Sequence, residues 1–76
     1  MQSTDKLVLM ANQIARNLAV QGDERAVAAT ADHITRFWNA RMRNDLVTAL
    51  QSGDRAAELH PIARRAIEHL ETRARV

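Results

Sequence analysis

The sequence predicts an all-α fold: a small antiparallel helical bundle, or a bent helical hairpin, of three to four helices with no β-sheet. Three observations carry this. Apolar residues recur at three- and four-residue spacing through most of the 76 residues, placing them on one stripe at about 100° per residue. β-branched residues are scattered, and no stretch alternates over five residues as a half-buried strand would. Each apolar stretch ends at a residue suited to a helix terminus, and the short connections between them favour antiparallel neighbours. The length makes one domain, residues 1–76.

The first helix is expected over about 4–21. Leu7, Met10, Ala11, Ile14 and Leu18 form its stripe, Ser3 or Thr4 can cap its start, and Asp5 suits the positive end of the helix dipole. Leu9 and Val20 fall on the back face with Gln13 and Arg16. Gly22 ends the segment and Asp23 can cap the next. The second helix, about 24–38, carries Val27, Thr30, Ala31, Ile34, Phe37 and Trp38 on its stripe, with Ala29, Asp32, His33 and Arg36 opposite. Asp32 and Arg36 are spaced for an i,i+4 ion pair. Asn39 can leave one helix and cap another; the alternative is one continuous helix from Asp23 to Gln51. The third helix, about 40–51, reads Met42, Leu46, Ala49 and Leu50, with Val47 on its shoulder. Ser52-Gly53-Asp54 then gives a turn. Pro61 suits the first position of the last helix, about 61–72, with His60 before it. Ile62, Ala63, Ala66, Ile67 and Leu70 form its apolar face, Arg64, Glu68 and Glu71 face water, and the tail to Val76 is expected to fray.

A domain of this size buries only about 60% of the surface its unfolded chain exposes, so a disulfide, a metal or a partner is the usual support. There is no cysteine, and the histidines, His33, His60 and His69, show no zinc-ligand spacing. Good helix packing or association is the remaining support. The polar start and the short apolar run from Leu7 to Ala11 fit neither a signal peptide nor a membrane span, so a cytoplasmic location and no membrane contact are expected. Ten of the eleven basic residues are arginine, and the formal net charge is only +2. A nucleic-acid binder normally clusters its basic residues on one face, whereas acids are interspersed here; arginine suits a protein interface at least as well.

Chemistry-bearing constellations are sparse. Gly22 and Gly53 are isolated and form no phosphate-cradling loop. Glu68 and His69 are adjacent in sequence and diverge by about 100° on a helix. No catalytic residue, cofactor site or metal site is expected. The only aromatic residues, Phe37 and Trp38, stand side by side in Ala31-Asp-His-Ile-Thr-Arg-Phe-Trp-Asn-Ala-Arg-Met-Arg43. Aromatic and arginine side chains are enriched where binding energy concentrates. At least one ring should belong to the core; the other reading of the cluster is a half-exposed Trp edge flanked by guanidinium groups. The candidate partner-binding residues are His33, Arg36, Phe37, Trp38, Arg41 and Arg43, backed by the Leu9/Val20 face.

These residues also carry a family likeness. Lys6-Leu-Val-Leu-Met-Ala-Asn-Gln-Ile-Ala15, then Ala31-Asp-His-Ile-Thr-Arg-Phe-Trp38 and Arg41-Met-Arg43, resemble the delta subunit of NAD-dependent, molybdenum- or tungsten-containing formate dehydrogenase. The likeness runs from about Asp5 to Leu70 and includes the Leu-His-Pro segment before the last helix. Relatives often place a proline and an acidic residue just after Phe-Trp; this chain has Asn39-Ala40, which enforces the helix break less strongly. The resemblance implies a complex that oxidises formate to carbon dioxide and reduces NAD. In it an alpha subunit holds a molybdenum bis-pterin guanine dinucleotide and iron–sulfur clusters, and beta and gamma subunits carry FMN, the NAD site and further clusters. The delta subunit binds no cofactor and acts as a helical accessory. The implied function is a non-catalytic subunit that binds the alpha subunit and supports assembly, cofactor loading or stability. The alternatives are a small helical nucleic-acid-binding or regulatory protein, or a freestanding homo-oligomeric helical module.

Overall fold

The computed structural model describes residues 4–51, 53 and 58–74. It contains α1 (Thr4–Leu18), continued by a 3₁₀ turn (Ala19–Gln21), α2 (Asp23–Phe37), α3 (Ala40–Gln51) and α4 (Pro61–Ala74). No strand occurs among the described residues, as the periodicity predicts. Ser3 as a cap and the Ser52 and Asp54 positions of the expected turn lie outside the described residues. The last helix continues to Ala74, two residues past the expected end.

Local chemistry sets the ends. Gly22 takes φ +95°, between the 3₁₀ turn and α2, a conformation that costs a glycine little. Asp23 is thereby the first residue of α2 rather than its cap, where its carboxylate still meets the positive end of the dipole. Ahead of α4, His60 supplies the cap: its Nδ1 accepts the Ile62 N–H at 3.1 Å, while Pro61 occupies the first helical position, where no N–H is needed.

One core joins all four helices. Leu7, Ile34, Leu46 and Ile67 are its largest fully buried apolar side chains, and α1 packs on each of the other three helices, while α2 packs most extensively on α4. The α4 stripe is buried as expected at Ile62, Ala63, Ala66 and Ile67, and the α3 stripe at Leu46 and Ala49. On α1 the buried line is rotated from the expected one. Leu7 and Ala11 lie on it, but Val8, Asn12 and Ala15 are buried, while Met10, Ile14 and Leu18 are only partly covered. A helix with three neighbours buries a wide face, and the small Ala11 and Ala15 side chains let helices approach.

Asn12 is the polar member of that face. Its Nδ2 donates to the Glu58 carbonyl at 2.8 Å and its Oδ1 accepts the His60 N–H at 2.7 Å. This side chain thus ties α1 to the segment that launches α4, satisfying backbone groups that burial would otherwise leave unpaired. At the surface, Arg65 donates to Glu24 at 2.6 Å and links α4 to the first turn of α2. That hydrogen bond, and then the Glu24 charge, raise the guanidinium pKa further, so Arg65 stays protonated throughout the accessible range. The Cα radius of gyration is 11.1 Å, against about 11.4 Å expected for a folded domain of this length.

Candidate functional site

The α2–α3 corner is built by three residues. The Trp38 N–H donates to the Ile34 carbonyl at 2.9 Å and closes α2. Trp38 itself is extended, with φ −95° and ψ +139°, which turns the chain out of the helix. Asn39 then caps α3: its Oδ1 accepts the Met42 N–H at 2.9 Å, and its carbonyl accepts the Arg43 N–H at 3.2 Å. The Asn39 side chain therefore does the work of breaking the helix without a proline, and the continuous helix from Asp23 to Gln51 is not formed.

The corner gives the two aromatic side chains opposite degrees of burial. Trp38 joins the core at 5% exposure, whereas Phe37 is 70% exposed. The placement of Phe37 on the α2 apolar stripe is thus corrected. Its angle around the helix is compatible with burial, but it stands in the last turn, beyond the fully buried Ile34. Phe37 instead packs against the imidazole of His33, one turn back, with ring centroids 4.7 Å apart and planes inclined by 43°. His33, expected on the solvated face, is half-buried as a result.

Beside this pair lies an open groove of about 320 Å³. Met10 and Ile14 from α1, Met42 from α3 and Trp38 give it apolar surface; Gln13, Asn17 and His33 add polar groups, and Phe37 completes the lining. Arg36 is exposed and paired with Asp32 at 3.1 Å, in the i,i+4 geometry the sequence predicts. Arg41 is exposed next to Met42. Arg43 is half-buried, and its buried Nε has no hydrogen-bond partner among the described residues. Of the six candidates, His33, Phe37 and Trp38 are thus brought together on the groove, Arg36 and Arg41 stand exposed in the same turns, and Arg43 is partly drawn in.

Sequence reasoning missed the other side of the groove. Met10, Ile14 and Met42 read as ordinary core residues, since they lie on apolar stripes. Their position at the stripe's margin becomes visible only once the buried line of α1 is known. The Leu9 and Val20 side chains are exposed, at 69% and 90%. Leu9 lies in a separate depression with Asp5, Val8, Asn12 and Glu58, apart from the corner.

Among the described residues no three His, Cys, Asp or Glu side chains are grouped to hold a metal ion, and no helix is long and apolar enough to cross a membrane. His60 is engaged as the α4 cap, and His69 is exposed beside the Glu24–Arg65 pair. The open groove at the α2–α3 corner offers soft apolar side chains, one exposed aromatic ring and the polar groups of Gln13, Asn17 and His33.

The described residues form a small all-helical protein with an open groove at the α2–α3 corner. Residues 6–67 match the family described as the NADH-dependent formate dehydrogenase delta subunit, FdsD, and the chain belongs to that family. No curated protein and no solved structure matches the chain. Both sequence blocks that carry the likeness meet at the groove: Met10-Ala-Asn-Gln-Ile14 contributes Met10, Gln13 and Ile14, and Asp32-His-x-x-x-Phe-Trp38 contributes His33, Phe37 and Trp38.

Proposed function

We propose that this chain is a non-catalytic accessory subunit of a cytoplasmic NAD-dependent formate dehydrogenase. It docks through the α2–α3 corner on the molybdopterin-containing alpha subunit, within a complex that also holds beta and gamma subunits, and supports assembly, cofactor loading or stability. The observation that carries the reading is the convergence of the two family-like sequence blocks on one groove beside an exposed Phe37. An aromatic ring held in water by a neighbouring imidazole offers apolar area that only a partner can bury. The contact residues of the proposal are His33, Arg36, Phe37, Arg41 and Arg43, with Trp38 acting as the groove's fixed wall.

The mechanism is linkage. A subunit that binds only the folded, assembled form of its partner stabilises that form by mass action, by about 2.7 kcal/mol when its free concentration is a hundred times Kd. No redox or cofactor chemistry is assigned to this chain; the molybdenum cofactor, iron–sulfur clusters, FMN and NAD belong to the large subunits. The test is affinity capture of the tagged chain from its host, with mass spectrometry and a formate-dependent NAD reduction assay on the captured material. Recovery of the large subunits with activity is the expected result. Recovery of the chain alone, from a lysate with active formate dehydrogenase, would refute the reading.

A further inference from the structure

The chain has three methionines and no cysteine, and two of those methionines meet at one place. Met10 from α1 and Met42 from the first turn of α3 both line the open groove at the α2–α3 corner, as does Trp38. Both are half-buried and pack against the margin of the core, so each side chain touches the core and also borders solvent. With no thiol in the chain, its thioethers are the groups that a peroxide oxidises most readily. The largest fully buried apolar side chains, Leu7, Ile34, Leu46 and Ile67, are aliphatic and offer a peroxide no such sulfur.

We infer that Met10 and Met42 form a paired oxidation site, whose conversion to sulfoxide by a peroxide loosens the α1–α3 contact and turns the groove polar, and whose reduction restores both. In the step itself the thioether sulfur attacks one peroxide oxygen. The O–O bond breaks, an S–O bond forms and water leaves, so the sulfur loses two electrons and the peroxide gains them. The product replaces a flexible apolar side chain with a polar, chiral one. Turned toward the core, the new oxygen is a polar group taken out of water, at a cost unless it finds a donor. Turned outward, it makes the groove surface polar. The two sulfurs sit on helices that pack against each other, so the change falls on both sides of one contact. Reduction by a dithiol-dependent sulfoxide reductase removes the oxygen as water and leaves a disulfide on the reductant. The inference concerns the chain with its groove open and does not depend on the docking reading.

The test exposes the full chain to hydrogen peroxide at neutral pH, followed by peptide mass mapping, urea titration and fluorescence. Trp38 is the one tryptophan and lines the same groove, so its emission reports the change. One oxygen should be added at each of Met10 and Met42, at rates within about tenfold of free N-acetylmethionine amide. The urea midpoint of the oxidised chain should fall by about 1–2 M, with Trp38 emission shifted to the red. The double variant Met10→Leu, Met42→Leu conserves side-chain volume, and its midpoint should stay within about 0.5 M through the same treatment. The two methionine sulfoxide reductases, one for each sulfoxide epimer, with dithiothreitol should return the oxidised wild-type chain to its starting midpoint. Rates below about a hundredth of the free amide would mean that the thioethers are closed to peroxide, and would overturn the site. Oxidation at both positions with an unchanged midpoint would overturn its effect on the fold. A double variant destabilised by peroxide as much as wild type would assign that effect to another group, and a midpoint the reductases leave unrestored would overturn the reversibility.

Discussion

Replacing Asn12 by alanine removes two hydrogen bonds at once: Nδ2 to the Glu58 carbonyl at 2.8 Å and the His60 N–H to Oδ1 at 2.7 Å. Each is worth about 1 kcal/mol net, and a buried partner left unsatisfied adds to the loss. Asn12 is only 7% exposed and both hydrogen bonds are partly buried, so the expected cost is about 2–3 kcal/mol. For a chain of this length total stability is about 4–11 kcal/mol, so the change consumes a large share of it. With a urea m value of about 1 kcal/mol/M, the denaturation midpoint followed by far-ultraviolet circular dichroism should fall by about 2–3 M. Asn12→Asp is an informative companion. It keeps the acceptor for His60 but faces a carboxylate oxygen against the Glu58 carbonyl, and should be no more stable than the alanine variant. An Asn12→Ala midpoint within about 0.5 M of wild type would refute the role assigned to this side chain.

The two aromatic residues should respond differently to truncation. Trp38→Ala empties a core site and should cost about 3–5 kcal/mol, largely unfolding the isolated chain, whereas Phe37→Ala should shift stability by about 0.5 kcal/mol or less; equal effects in urea titrations would contradict their opposite placement. Asn39→Ala loses the α3 cap and should destabilise by about 1 kcal/mol, with the amides of the first α3 turn showing the largest gain in hydrogen exchange. Uniformly unchanged exchange there would mean that the capping contact does not hold the corner.

The helices were legible because apolar spacing, Gly22, Asn39 and Pro61 act locally, and the buried faces of α3 and α4 follow from periodicity alone. The exact buried line on α1 was not legible. It depends on α1 touching three helices, and a 3.6-residue pattern cannot distinguish a stripe's centre from its edge when the edge is also apolar. Asn12 lies within the likeness-bearing block Met10-Ala-Asn-Gln-Ile14, yet its role required a partner 46 positions away, which no local pattern encodes. Of the candidate site, the aromatic pair and the arginines were visible as composition. Their division into an inward Trp38 and an outward Phe37 was not, because it follows from one extended residue at the corner. The groove itself needed α1 and α3 to meet at that corner.

The most direct test of docking at the α2–α3 corner is site-specific photo-crosslinking within the assembled complex. A photoreactive phenylalanine analogue at position 37 should crosslink to the alpha subunit, while the same analogue at position 68, an exposed site on α4, should not. A crosslink to the alpha subunit from position 68 with none from position 37 would contradict the account.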